Sequence, residues 1–376
     1  MKKVLYIRSG PYQIDLDKYN IQEIGLASAF AEVGVVCDVL FYHQNKNFDQ
    51  IIEHNGNMIN IFWRKGIRLL RSGIYPQIIK KDFLMEYDAI IISEYSQIMS
   101  VIISNIHPNV YLYNGPYYNL FKIPITEKIY DKLFLNLLNR KVKHIFCKTK
   151  MSQDFLNDKG LKKTSVVGVG LDISAFSDDV TINIQTEIIL QTMANNRVLL
   201  YVGRISKRKN VELIIKVFNI LKLDPNNDDL QLYLIGSDEA GYLQTCMKLI
   251  EKQSLGSVFN ISSMSNSQLR YLYKRAELFL LPSRQEIFGM VLLEAMYFGL
   301  PTIASPSAGA KTLIENGKNG YIVDSFDENE WVKLIHLVLS NQKLSKKIGE
   351  SATNRIKENF LWNHIVGKMI SQFDVD

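Results

Sequence analysis

Cysteine occurs only three times in 376 residues, at positions 37, 147 and 246, with no C-x-x-C spacing. That excludes a disulfide framework and a thiolate zinc site. The six histidines, at 43, 54, 107, 144, 336 and 364, contain no H-x-x-x-H pair, so no metal site is expected. No apolar run approaches the roughly 18 residues that cross a bilayer. Only four apolar residues separate Lys3 from Arg8, too few for the core of a signal peptide, and the expected setting is a reducing cytoplasm. Proline and glycine, 9 and 21, are too sparse for collagen-like or low-complexity structure. No G-x-G-x-x-G follows the first apolar run, which argues against a nicotinamide-dependent dehydrogenase. No RNA-binding signature accompanies the basic residues, which argues against a nucleic-acid partner.

What is present is enough apolar material, 47%, for two cores, and the length predicts two domains. Short apolar runs at 4–7, 36–41, 88–93, 110–113 and 144–147 alternate with longer segments, among them a helix over 21–34. A second series follows: strands at 197–202, 230–235, 258–261, 278–281, 301–304 and 320–323, with helices at 211–223, 243–253, 267–276 and 290–298. Alternation of this kind predicts two α/β, doubly wound, Rossmann-like domains. Their join falls within 166–196, giving an N-terminal domain over 1–168 and a C-terminal domain over 169–356. The last helix, about 357–376, is expected to pack back on the first domain. Charge is unevenly held: residues 1–170 carry 22 Lys and Arg against 15 Asp and Glu, hence +7, and the remainder 22 against 23, hence −1. An anionic partner for the first half is the expectation.

Two constellations follow buried strands and open helices, the positions where a doubly wound sheet binds ligands and where helix N-termini offer N–H groups to phosphate. In 203–210, Gly203 permits close backbone approach, and Arg204 and Lys209 suit a pyrophosphate, one as a planar fork and one as a point charge. In 282–299, Glu286 and Glu294 stand eight residues apart, at most about 12 Å if the segment is all helical. Glu286 suits sugar hydroxyls and Glu294 a ribose diol; alternatively, both serve only local helix electrostatics.

These residues carry a resemblance. Gly203-Arg204 with Lys209, Pro282-Ser283 with Glu286, Phe288-Gly289 and Glu294-Ala295-Met296, then Gly299, Pro301 and Glu315-Asn316-Gly317-Lys318-Asn319-Gly320, together resemble the C-terminal domain of glycosyltransferase family 4. The resemblance implies a GT-B fold, with two Rossmann-like domains facing across a cleft, and retaining transfer from a nucleoside diphosphate sugar, a UDP-sugar being the expected donor. By position it implies Glu286, Arg204 and Lys209 as catalytic groups. Gly10, Gly203, Ile287, Phe288, Gly289, Glu294 and Met264 would be donor-binding. It implies no metal and no cofactor, since the nucleotide sugar is a substrate, and no D-x-D motif occurs at a suitable strand end. The expected acceptor is a glycan or lipid-linked intermediate, as in bacterial capsule or exopolysaccharide assembly. A catalytically silent accessory protein that binds glycan or a partner transferase is the alternative.

The first half resembles the family less. Tyr19-Asn20 stand where the family has paired glycines, and Asn114 follows the strand 110–113 where a histidine is usual. Asn114 and Glu94 are the acceptor-side candidates. The segment 62–71 mixes Phe62, Trp63 and Leu69 with Arg64, Lys65, Arg68 and Arg71. It reads either as an ordinary amphipathic helix or as a peripheral contact with the inner face of the cell membrane, Trp63 lying at headgroup level.

Overall fold

The computed structural model describes residues 2–16, 21–176 and 180–373; positions 19 and 20 lie outside them. The chain divides into two units, Met1–Asp172 with Phe360–Asp376, and Ile173–Asn359, a few residues beyond the boundaries at 168 and 356.

Unit 1 is built on an eight-stranded sheet. Its strands are β1 (Lys3–Ile7), β2 (Val36–His43), β3 (Phe48–His54), β4 (Asn57–Lys65), β7 (Ala89–Ser93), β8 (Val110–Asn114), β9 (His144–Cys147) and β10 (Thr164–Val166), in the order β10-β9-β8-β7-β1-β2-β4-β3. A separate hairpin pairs β5 (Ile67–Leu69) with β6 (Ser72–Ile74). All ladders of the large sheet are parallel except β3 with β4. Ile90, Ile91 and Ile92 are fully buried although successive side chains point to opposite faces, so both faces of the sheet are covered. The helices are α1 (Gln22–Glu32), α2 (Lys81–Leu84), α3 (Ile98–Ile106), α4 (Pro124–Lys141) and α5 (Lys150–Asp158).

The segment 62–71 is not a helix. Buried Ile59, Ile61 and Trp63 alternate with more exposed neighbours along β4, the period-two pattern of a strand. Trp63 is 4% exposed, stacks on Phe48 at 5.9 Å and donates from Nε1 to Gln50 Oε1 at 2.9 Å, so it does not reach a headgroup layer. Arg64 pairs with Asp49 and Arg71 with Glu94, which removes much of the charge that made this stretch look cationic.

Unit 2 holds six parallel strands, β11 (Arg197–Val202), β12 (Leu230–Ile235), β13 (Val258–Ile261), β14 (Leu278–Leu281), β15 (Thr302–Ala304) and β16 (Tyr321–Ile322), ordered β13-β12-β11-β14-β15-β16. Its helices are α6 (Ile184–Met193), α7 (Val211–Leu221), α8 (Tyr242–Lys252), α9 (Asn266–Arg275), α10 (Met290–Tyr297), α11 (Ala308–Leu313), α12 (Glu328–Leu339) and α13 (Gln342–Asn359). Helix α6, capped by Asn183, lies inside the stretch expected to be a join.

The final helix, α14 (Trp362–Ile370), belongs to unit 1 and packs on α1. Two glycines make room for it: a Cβ on Gly25 would lie 2.2 Å from the Trp362 indole nitrogen, and one on Gly170 2.3 Å from its ring.

Candidate active site

In each sheet the strand order reverses at one point, between β11 and β14 in unit 2 and between β1 and β7 in unit 1. Chains leaving neighbouring strands there turn in opposite directions, opening a crevice at the carboxyl ends.

In unit 2 the loops at the reversal are 203–210 and 282–289, and they meet through charge. Lys209 Nζ contacts Glu286 Oε2, and the two side chains are only 10% and 14% exposed. Arg208 approaches the same oxygen at 3.8 Å and donates to the Gln285 carbonyl at 2.6 Å, while Arg284 reaches Asn210 Oδ1 at 3.3 Å. Asn210 takes a left-handed conformation (φ 56°) to start α7. Gly289, also left-handed at φ 81°, starts α10; a Cβ there would lie 3.2 Å from Glu286 Cγ, so the glycine lets the carboxylate fold over the helix start. Three buried polar atoms of these loops, Ser206 Oγ, Asn210 Nδ2 and Ser283 Oγ, have no partner among the described residues, an arrangement that a polar ligand resolves.

Glu294 lies one turn further along α10, 3% exposed, and accepts a hydrogen bond from the Tyr273 hydroxyl at 2.9 Å. Burial pushes its carboxyl up to about 7, with the Tyr273 hydrogen bond opposing that rise. Only Glu294 of the carboxylate pair is helical; Glu286 stands in the loop before it. Arg204 is not gathered with Lys209. Its side chain is 69% exposed and pairs with Glu239 at 3.3 Å, leaving Arg208 as the guanidinium beside Glu286. Gly203 sits back to back with Gly236, whose Cβ position is 1.9 Å from the Gly203 carbonyl oxygen. Phe288 is buried, and Ile287 and Met264 are partly exposed, Met264 on the loop between β13 and α9.

Arg208, Tyr273 and Gly309 are site residues that the sequence motifs did not single out. A Cβ on Gly309 would lie 1.5 Å from the Phe288 carbonyl oxygen, so the start of α11 presses directly on the loop 282–289. Its one sequence signal is position: 305–309 is a small-residue run following the strand β15.

In unit 1 the reversal joins Ser9 to the end of β7, through Ser9 N to Ser93 Oγ at 3.1 Å and Ser9 Oγ to Gln97 Oε1. A cavity of about 430 Å³ opens here, lined among others by Gly10, Arg71, Glu94 and Gln97. Glu94 has φ 60°, a conformation that costs a non-glycine residue about 1–3 kcal/mol, and its carboxylate pairs with Arg71 at 2.8 Å. Asn114 does not face this cavity as a free group. It is fully buried; its Oδ1 accepts from Tyr95 N at 3.1 Å and its Nδ2 donates to the Pro116 carbonyl at 3.0 Å and Ser152 Oγ at 2.8 Å. Its bonds hold the fold together, which corrects its reading as an acceptor contact. Among the described residues, no three His, Cys, Asp or Glu side chains gather to hold an ion.

Residues 187–355 match the family described as Glycosyl transferases group 1. Spore coat protein SA of Bacillus subtilis is 27% identical over 186 residues, 47% of this chain and 48% of that protein. D-inositol 3-phosphate glycosyltransferase of Corynebacterium diphtheriae is 25% identical over 222 residues, 57% of this chain and 51% of that one. The chain thus spans about half the length of these curated relatives. Anabaena HepE in complex with UDP and glucose superimposes with a TM-score of 0.72 at 19% identity, covering 99% of this chain and 100% of HepE. Sucrose-phosphate synthase from Thermosynechococcus elongatus gives 0.74 at 17% identity, covering 99% and 98%. At these identities the structural likeness establishes the fold, the two Rossmann-like units of GT-B.

Proposed function

We propose that this chain, whose residues 187–355 carry the group 1 glycosyl transferase sequence, is a retaining glycosyltransferase. Its donor is a nucleoside diphosphate sugar, with UDP favoured by the likeness to HepE, a protein that binds UDP and glucose. Its acceptor is the hydroxyl of a lipid-linked or polysaccharide intermediate, which places the protein at the inner face of the cell membrane. The observation that carries this reading is the Lys209–Glu286 pair at the sheet reversal, a cation and a carboxylate in the two loops that would receive diphosphate and sugar.

On donor binding the pair separates. Lys209 and Arg208 turn to the diphosphate, Glu286 accepts hydrogen bonds from sugar hydroxyls, and Glu294 accepts them from the ribose. Exposed Arg204 swings from Glu239 to the phosphates. The bond from the anomeric carbon to the diphosphate oxygen breaks, and negative charge grows on the leaving group. The cations and the backbone N–H groups at the start of α10 stabilise that charge by preorganised electrostatics. The acceptor oxygen attacks from the same face, its proton passes to the departing phosphate, and the products are nucleoside diphosphate and a glycoside of unchanged anomeric configuration. No metal takes part in this scheme.

A panel of UDP-, GDP- and dTDP-sugars tests it. One donor class is expected to raise the melting temperature by linkage and to undergo slow hydrolysis with release of its nucleotide. A panel without either effect overturns the reading in favour of a silent accessory protein.

A further inference from the structure

The mouth of the unit 1 cavity is bordered by apolar side chains that are more than half exposed. Tyr12, Leu70 and Ile123 line it and are 56%, 56% and 63% exposed. From Ile123 the surface continues along α4, where Ile125, Ile129 and Leu133 recur every four residues and so form one outward stripe, each more than half exposed. From Leu70 it continues onto the β5–β6 hairpin, with Ile67 and Leu69 exposed. Isolated exposed apolar residues are normal, but a row of them joined through one cavity mouth marks an interaction surface.

Charge identifies the partner. Lys122, Lys128 and Lys132 flank the α4 stripe, Arg140 and Lys141 follow at the end of the helix, and all five are exposed. None of them is in an ion pair among the described residues. The two acids of the helix, Glu127 and Asp131, are turned to the body of unit 1, where Lys159 pairs with both. The outward face is therefore apolar and cationic with no acid. That combination suits an anionic bilayer, whose acyl boundary accepts the apolar stripe while its headgroups attract the lysines.

We propose that unit 1 docks on an anionic phospholipid bilayer through the outward face of α4 and the β5–β6 hairpin, holding the mouth of the 430 Å³ cavity at the lipid surface. The docking stands on its own observations; that the cavity then receives the headgroup of a lipid-linked acceptor, beside Glu94 and Arg71, rests on the function proposed above. Bilayer contact is thereby assigned to 120–141 and, within 62–71, to 67–70 alone, buried Trp63 taking no part.

The test uses the full chain with phosphatidylglycerol/phosphatidylcholine vesicles and with phosphatidylcholine alone. The three native cysteines are buried, so Leu70→Cys and Ile129→Cys can each be labelled selectively with a polarity-sensitive fluorophore. Val36→Cys, half-exposed at the amino-terminal end of β2 and so away from the cavity at the carboxyl ends of the strands, is the reference. The anionic vesicles should blue-shift the label at 70 and 129 and leave that at 36 unchanged. In sedimentation, Ile129→Asp/Leu133→Asp should lower partitioning at least tenfold. Lys128→Ser/Lys132→Ser/Lys141→Ser, none of which lines the cavity, should lower it about 100-fold, at roughly fivefold per cation. Neither variant should change the melting temperature or donor hydrolysis. Equal binding by both vesicle types, unchanged partitioning of the variants, or a shift only at position 36 overturns the proposal. So does self-association that Ile129→Asp/Leu133→Asp abolishes, which assigns the face to a second copy of the chain. Donor hydrolysis retained without vesicle binding refutes the docking alone; vesicle binding without donor hydrolysis refutes the transferase reading alone.

Discussion

Lys209 and Glu286 satisfy each other in the structure, and the proposed chemistry requires each to exchange that partner for part of the donor. Such an exchange costs little when both new contacts form together, because neither charge is left buried alone. Glu294 differs, since it has a hydroxyl partner and no cation. With its carboxyl at about 7 against an ordinary value near 4.5, the folded protein holds a proton there that the unfolded chain has lost. Its contribution is therefore most favourable below about pH 4.5 and is lost as pH rises to about 7, a change of about 3 kcal/mol at 1.4 kcal/mol per unit. A ribose diol donating to this carboxyl favours its ionised form. Nucleotide binding at pH 6.5 is thus expected to release protons, seen in calorimetry as a dependence on buffer ionisation enthalpy, and Glu294→Gln should abolish the release. A wild type without proton release would remove Glu294 from the ribose contact.

At the scale of elements, the loop 282–289 is shaped by its neighbours as much as by its own residues. Helix α11 touches it through Gly309, where a methyl group would collide with the Phe288 carbonyl. Gly309→Ala is expected to displace this loop and eliminate the donor-induced rise in melting temperature while leaving the far-ultraviolet circular dichroism unchanged. A normal donor shift in that variant would show the contact to be incidental. Much of this unit was readable from sequence, because buried parallel strands such as β11 and β14 are continuous apolar runs and the polar loops begin where those runs stop. The register at which a guanidinium arrives was not readable: Arg204 and Arg208 lie on one loop, and only the turn at Lys207–Lys209 decides which meets Glu286. Gly309 was hidden for a similar reason, since close approach between loops far apart in sequence leaves no local periodicity. In unit 1 the edge strand β3 is not legible in the sequence because its residues are mostly exposed on both faces, and without it the basic, aromatic β4 resembles a helix. Glu94 was visible as a strand-end carboxylate, but its left-handed backbone was not.

For the whole molecule, the two units use one rule twice. Each places its polar residues where the strand order reverses, Lys209 and Glu286 in unit 2, Ser9, Gly10 and Glu94 in unit 1. The near-neutral charge of the second half hides a small cationic cluster that burial makes effective, whereas five of the 22 cations of the first half lie exposed on or beside α4, at 122, 128, 132, 140 and 141. No helix among the described residues is long and apolar enough to cross a membrane, so contact with lipid would be made by surfaces such as that one. The pair in unit 2 bears most of the functional assignment. Its direct test is the rate of nucleotide release from the best donor for wild type, Glu286→Ala and Lys209→Ala, each verified as folded by its melting transition. A fall of at least about 100-fold in both variants is predicted, the scale of losing one preorganised electrostatic group; rates within a few-fold of wild type would contradict the assignment of the site.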